Sequence, residues 1–406
     1  HEHRVPVTPR GAGTNLVGST VPLEGGIILD LSRMDRVLEL DEDTMTVTVE
    51  PGMLLQDLQA YVEARGLFYP PDPGEKASSI GGNISTNAGG MRAVKYGVTR
   101  DYVRGLEVVL ADGTVMQVGG KQVKDASGLS LKHLLIGSEG TLAVITKCLL
   151  RLVPKPEASL SVLVPYADLK TGIQSVLTIL RANANPTAVE FMERKVVALG
   201  ERFCGVSYPR PDAGSYILLT FDGRSEEVTA NAARVRSLAL QNGALDFIEL
   251  SDARQCADIW RVRGALVKAV SEQEPVDIVV PISRTADFIR FINDLEAQSG
   301  MQMVSFGHAG DGNVHLCVVR GERDEETWQR ELHENMDRAY AEAYRLGGVA
   351  SGEHGIGLSK RPYFLRQTAK ENLQAMNAIK TALDPQHILN NGKSYLTGGN
   401  NNAGTF

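Results

Sequence analysis

Four residues in the last third of the chain could hold a metal ion and move a proton: His308, His315, Glu353 and His354. The first two belong to a predicted hairpin with strands at Met303–His308 and Asn313–Val319. The Ala-Gly-Asp-Gly between them is rich in residues that accept the left-handed backbone of a tight loop. Alternation puts Asn313, His315 and Cys317 on one face of the second strand and Val314, Leu316 and Val318 on the other. His308 then lies opposite Asn313, with His315 as its diagonal neighbour. Such diagonals are about 7–8 Å apart at Cα, close enough for two imidazoles to converge on one ion. A pair of histidines serving only the loop is the plainer alternative. Downstream, a strand predicted over 351–357 sets Glu353 and His354 among glycines, as expected where backbone crowds a ligand. Two histidines and a carboxylate suit Zn²⁺ or Fe²⁺, with positions left open for a substrate. Successive side chains on an extended strand point to opposite faces, so Glu353 and His354 should diverge unless the glycines bend the chain.

The chain around them is that of a globular protein. It has 406 residues, 43% hydrophobic and 22% charged, enough for two or three domains. A net charge of -7, without a basic run, argues against nucleic acid as a partner. Cys148, Cys204, Cys256 and Cys317 show no CxxC spacing, which implies neither a zinc knuckle nor an iron–sulfur site and predicts a reducing cytoplasm. No apolar run reaches the roughly 18–20 residues of a membrane-spanning helix, and no signal peptide is visible. The chain opens on His1-Glu2-His3-Arg4, read as the tail of a helix before an apolar strand at 5–7, so part of an N-terminal domain is expected to be missing. Residues 397–406 read as a disordered polar tail.

Two glycine-rich stretches could cradle a large anionic ligand. Arg10-Gly11-Ala12-Gly13-Thr14-Asn15 lets backbone amides approach an anion, although neither a Walker lysine nor a GxGxxG spacing is present. Strands follow at 26–31, predicted buried, and at 44–49. An amphipathic helix at 53–64 carries Leu54, Leu58 and Tyr61 on one face and is closed by Gly66. Pro70 and Pro71 then open a long loop that runs through Ser78-Ser79-Ile80-Gly81-Gly82-Asn83 and Ile84-Ser85-Thr86-Asn87-Ala88-Gly89-Gly90. Its composition resists ordering, yet 77–90 carries no charge and embeds Ile80 and Ile84, as expected of backbone packed on a ligand. Asp112-Gly113 marks a hairpin, and Glu139-Gly140 precedes a strand at 143–153 that contains Ile145.

The motifs PRGAGTN, SSIGGNISTNAGG, YGVTRDYV and GSEGTLAVIT, in this order, resemble the FAD domain of the vanillyl-alcohol-oxidase/PCMH-type flavoproteins. Within these, the chain resembles the glycolate oxidase flavoprotein subunit and the D-lactate dehydrogenases over residues 5–396. The implied fold class is α+β: a PCMH-type FAD domain of two α/β subdomains at 1–153, and an α+β cap at 154–374. A segment at 375–396 would return to the flavin. The resemblance implies that Arg10 to Asn15 wrap the FAD pyrophosphate. It also implies that Pro71, Ser78, Ser79, Gly81, Gly82, Asn83, Thr86, Asn87, Gly89, Gly90, Glu139, Gly140 and Ile145 line the rest of the cofactor, with Asn390 at the flavin edge. Relatives that tether FAD use a histidine where this chain has Gly13-Thr14-Asn15, so non-covalent FAD is expected.

The same resemblance assigns His308, His315 and Glu353 as ligands of a divalent metal (Zn, Fe or Mn), His354 as base, and Arg263 as the grip on a substrate carboxylate. Arg261, on the same predicted helix, reads as surface. Relatives that accept a second carboxylate have a lysine and an asparagine where this chain has Pro275 and Cys317, which favours a small substrate such as D-lactate or glycolate over D-2-hydroxyglutarate. Reduced flavin would pass electrons to an iron–sulfur subunit or an electron-transferring flavoprotein, in the cytoplasm or at the periphery of the inner membrane. The competing readings are a non-redox flavoenzyme of the alkylglycerone-phosphate synthase type and a non-catalytic flavin-binding subunit.

Overall fold

The computed structural model describes residues 1–396, so the tail expected at 397–406 lies outside the described residues. The chain divides into two compact units, each described here by itself. Unit 1 takes residues 1–90, 97–155 and 353 onward; unit 2 takes 91–96 and 156–352. Two features depart from the expected division. Residues 353–374, expected in the cap, group with unit 1 because the amides of Ile356 and Gly357 donate to Glu139 and that of Leu358 to the Val17 carbonyl. The short stretch Met91–Tyr96 groups with unit 2 because Lys95 Nζ and Tyr96 Oη both donate to the Asp222 carboxylate, at 2.5 and 2.8 Å.

In unit 1, β1 (Val7–Arg10) pairs in parallel with β2 (Ile27–Asp30). The antiparallel sheet beside them takes β3 (Val37–Asp41), β4 (Thr46–Val49), β6 (Val103–Val109), β7 (Val115–Gly119) and β8 (Val144–Arg151) in the order β3-β4-β8-β6-β7. The short strands β5 (Leu67–Phe68) and β9 (Val153–Pro154) pair with each other. The β6–β7 hairpin turns at the predicted Asp112-Gly113, where Gly113 takes φ +89°. The helix Leu55–Glu63 buries Leu55, Leu58 and Val62.

Four local expectations for unit 1 change. The first strand begins at Val7 rather than Val5 and runs into the cradle as far as Arg10. The strand expected to be buried, β2, is exposed at all four residues; among the described residues it pairs with β1 alone. His1 to Arg4 form a turn closed by the Arg4 amide on the His1 carbonyl at 3.0 Å, not a helix tail. The glycine-rich loop contains a helix, Ile80–Thr86. Ser79 caps it by accepting from the Gly82 amide, and Ile80 and Ile84, one turn apart, bury the same face. Asn87 ends it in the left-handed conformation at φ +53°.

Unit 2 is built on a seven-stranded sheet in which every pairing is antiparallel, in keeping with the α+β cap that the resemblance implies. Its strands are β10 (Ala158–Tyr166), β11 (Ala188–Glu193), β12 (Ser215–Gly223), β13 (Ile248–Glu249), β14 (Gln273–Val279), β15 (Met303–His308) and β16 (Asn313–Val319). The order is β13-β10-β12-β11-β15-β16-β14. The helix Ala253–Ala265 packs Ile259, Val262 and Leu266 just beyond its end into a core shared with Leu163, Met192, Phe306 and Cys317. That packing holds Arg263 against the sheet. A helix expected at 331–346 spans Glu325–Arg345, because Asp324 caps it by accepting from the Thr327 amide at 2.8 Å. No helix among the described residues is long and apolar enough to cross a membrane.

Candidate active site

The β15–β16 hairpin has the predicted register. His308 pairs with Asn313, Phe306 with His315, and Gly312 in the loop takes φ +82°. The two imidazoles meet edge to face, ring planes 88° apart, with Nε2 of one 3.2 Å from Nε2 of the other. Two ligands of a tetrahedral zinc, each at about 2.0 Å, are separated by about 3.3 Å, so this spacing fits two donors to one ion.

A carboxylate that sequence reasoning missed orients the first ring. Glu190 of β11 lies opposite His308 in the β11–β15 register. Its Oε1 sits 2.6 Å from His308 Nδ1, and its Oε2 accepts from Arg263 Nε at 2.9 Å and Nη2 at 2.5 Å. Complete burial alone would push the Glu190 carboxyl up, but the charges and hydrogen bonds of His308 and Arg263 outweigh it and hold it below the ordinary range. An anionic carboxylate only accepts, so His308 donates to it from Nδ1, and Nε2 is the ring nitrogen that faces His315. The sequence signal was a lone carboxylate inside the apolar run 188–192.

Arg263 therefore shares the Glu190 carboxylate with His308, and two of its nitrogens bond it. Its guanidinium also stands 4.7 Å over the Phe306 ring. Arg261 points away, 56% exposed, and pairs with Asp258. Pro275 and Cys317 are register partners across β14 and β16. Pro275 is tolerated because β14 is an edge strand, and burial pushes the Cys317 thiol up to about 12, so it stays neutral.

Asp277, also missed, is the second buried acid of unit 2. It pairs with His315 in the β14–β16 register. Its carboxylate accepts from Asn313 Nδ2 at 2.6 Å, Ser351 Oγ at 2.8 Å and the Gly352 amide at 3.0 Å. Those bonds fix the end of unit 2 one peptide before Glu353.

The 351–357 segment is a series of bends, not a strand. The bends fall at Gly352, Glu353 and His354 themselves, which removes the extended backbone whose alternation would have parted Glu353 from His354. Instead His354 Nε2 lies 3.8 Å from Glu353 Oε1. Within unit 1 the Glu353 carboxylate packs on Gly89, where an added Cβ would stand 2.8 Å from Oε2.

The cradles of unit 1 are built from the same elements. Ser79 Oγ accepts from the Ala12 amide at 3.3 Å, and a Cβ on Gly11 would strike that hydroxyl. Gly13 takes φ +74° beneath the exposed Arg10 guanidinium. Thr14 is exposed, while Asn15 braces the loop, its Oδ1 accepting from the Ser19 amide and its Nδ2 donating to Thr20. Gly81, Asn83, Gly89 and Gly90 are buried; Gly82 is half-buried, and Thr86 turns its hydroxyl back to the Gly82 carbonyl. Asn87 accepts from the Arg100 amide, and a Cβ on Gly90 would strike the Asp72 carbonyl. Pro71 is buried, its carbonyl accepting from Gln59. Ile145 is 7% exposed, Gly140 takes φ +71° against Pro9, and Asn390 Nδ2 donates to the Ser19 and Glu139 carbonyls. Close backbone approach and a buried Ser78 Oγ without a hydrogen-bond partner fit a phosphate-bearing ligand. The Glu139 carboxylate accepts four bonds from inside unit 1, from Ser19, Ile356, Gly357 and Ser394.

Comparison with known proteins agrees with both units. A model of the C-terminal domain of FAD linked oxidases matches residues 155–394, and one of an FAD binding domain matches residues 1–119. A D-lactate dehydrogenase of Anaerostipes hadrus is 41% identical over 403 residues, covering 97% of this chain and 85% of that one. The glycolate oxidase subunit GlcD of Bacillus subtilis is 40% identical, covering 97% and 84%. A D-2-hydroxyglutarate dehydrogenase of Stutzerimonas stutzeri is 31% identical, covering 97% and 86%. Among solved structures, p-cresol methylhydroxylase superposes with a TM-score of 0.78 at 17% identity, over 97% of this chain and 85% of that one. An alkyldihydroxyacetonephosphate synthase gives 0.69 at 17%, over 96% and 73%. These distant likenesses speak to the fold alone, a PCMH-type FAD domain with an FAD-oxidase cap. The sequence matches go further, for they run through the cradles and the hairpin alike and show that the chain belongs to the FAD-linked oxidases.

Proposed function

We propose that the protein oxidises a small D-2-hydroxy acid, D-lactate or glycolate, to the 2-oxo acid, with metal assistance and non-covalent FAD. The observation that carries the metal reading is the Nε2–Nε2 approach of His308 and His315 at 3.2 Å, with His308 Nδ1 held on Glu190. Glu353 would be the third ligand, presented directly after the tethered Gly352. When bound, FAD supplies the acceptor for the hydride from the substrate Cα, and the divalent ion (Zn, Fe or Mn) makes the substrate hydroxyl more acidic. Arg263 orients the substrate carboxylate through the part of its fork not turned to Glu190. His354 takes the hydroxyl proton, so that two electrons and two protons leave the substrate in all. Cys317 and Pro275 offer neither a cation nor an amide to a second carboxylate, which favours the one-carboxylate substrates. In unit 1, Arg10 to Asn15, Ser78, Ser79 and the 80–90 segment would hold FAD, with no histidine available at 13–15 to tether it. Electrons would pass to an iron–sulfur subunit or an electron-transferring flavoprotein in the cytoplasm.

The test is anaerobic reduction of metal-replete protein by D- and L-2-hydroxy acids. D-lactate or glycolate should bleach the flavin and the L-lactate enantiomer should not. Bleaching by D-2-hydroxyglutarate alone would replace the substrate reading. A flavin inert to the whole panel would favour a non-redox role.

A further inference from the structure

We propose that Glu190 is a positioning residue shared by the metal-binding and carboxylate-binding halves of the site, so that the two respond to one buried charge. The inference rests on the metal reading above.

Glu190 is fully buried in the middle of the sheet, where a carboxylate persists only with partners. It has two, one on each oxygen: His308 Nδ1 at Oε1, and the Nε–Nη2 edge of Arg263 at Oε2. The arrangement is rigid on every side. Strand register sets Glu190 against His308, and Arg263 is clamped between this carboxylate and the Phe306 ring. Two consequences follow from the atoms used. The Nδ1 bond fixes the His308 ring and turns Nε2 toward His315. The Arg263 bonds engage one edge of the guanidinium, so a substrate carboxylate must be met from the Nη1 side.

The charges make the role distinguishable from simple packing. The Glu190 carboxylate and the Arg263 guanidinium carry opposite charges side by side, next to His308. Removing the acid leaves an unopposed cation next to the ligand; removing the arginine leaves an unopposed anion. A divalent ion on Nε2 should therefore bind more weakly in one variant and more tightly in the other. A residue that merely supports packing would weaken binding in both.

The experiment titrates the FAD-loaded full chain with Zn²⁺ against a chromophoric chelator. Glu190→Gln should raise the zinc Kd about 10–100-fold, as for other partners that orient a metal-bound histidine. Arg263→Met should lower it. Equal weakening by both variants, or parental affinity in Glu190→Gln, overturns the proposal. A parental protein that takes up no zinc refutes the metal reading instead. Nitrogen-15 spectra of the metal-free parental protein, with His308 assigned from its replacement, test Glu190 without a variant of it. The proton should reside on Nδ1, and an Nε2-protonated ring would overturn the role of Glu190 whatever the zinc result.

Discussion

Glu139→Gln changes one atom and should loosen unit 1 at its most connected point. The Glu139 Oε1 accepts from the Ile356 amide and Ser394 Oγ, each at 3.0 Å. Its Oε2 accepts from Ser19 Oγ at 2.7 Å and the Gly357 amide at 2.8 Å. The residue is 6% exposed, so water cannot replace those donors. A glutamine keeps one acceptor and turns an NH₂ toward the other two donors. The Ser19 hydroxyl can rotate to accept; the Gly357 N–H cannot. One buried donor left unpaired costs about 1–3 kcal/mol, and each bond that loses its charge gives up roughly 1 kcal/mol more. The sum is about 3–5 kcal/mol, a large part of an ordinary domain's stability. Hydrogen exchange at the Ile356 and Gly357 amides would report it, alongside urea unfolding of FAD-loaded protein. Both amides should lose protection and the first unfolding step should move to lower urea. If exchange and unfolding stay parental while FAD is lost, Glu139 serves the cofactor directly and the argument from its four bonds is wrong.

Glu353→Gln should weaken zinc binding first and flavin reduction as a consequence. His354→Asn should keep the metal and slow flavin reduction by about 10²–10⁴-fold, checked by stopped flow and metal content; a parental rate would remove His354 from the chemistry. Burial pushes Lys393 down to about 8 from 10.5, against the opposing pull of Glu139. Between those values the unfolded chain holds the proton more than the folded one, so this group's contribution to stability rises with pH, by at most about 3 kcal/mol. Lys393→Met should flatten that rise in urea unfolding between pH 8 and 10.5, and a parental protein already flat there would contradict it. Acid precipitation should release all the flavin into the supernatant; colour left in the pellet would mean a covalent link.

The hairpin was legible because alternation and loop chemistry act within a few residues of one another. The same local logic located the Asp112-Gly113 turn. It failed where distant partners decide. Glu190 looked like one more residue of an apolar strand, since nothing nearby in sequence shows that His308 and Arg263 will meet it. Asp277 was hidden for the same reason. The helix Ile80–Thr86 was obscured by Gly81 and Gly82, although Ser79 and the Ile80/Ile84 spacing already carried its signal. At Glu353 and His354 strand alternation was the wrong rule, because the chain bends at 352–354 instead of running extended.

The division into units also constrains the order in which the chain can become structured during synthesis. The bulk of unit 2, residues 156–352, leaves the ribosome as one continuous stretch. Unit 1 must wait, because its third segment begins only at residue 353. Until that segment emerges, β1 lacks the Ile388 carbonyl that accepts from the Val7 amide, and Glu139 lacks three of its four donors. The glycine-rich cradles are thus made early and completed late, and a nascent chain halted before residue 353 holds no complete FAD-binding unit.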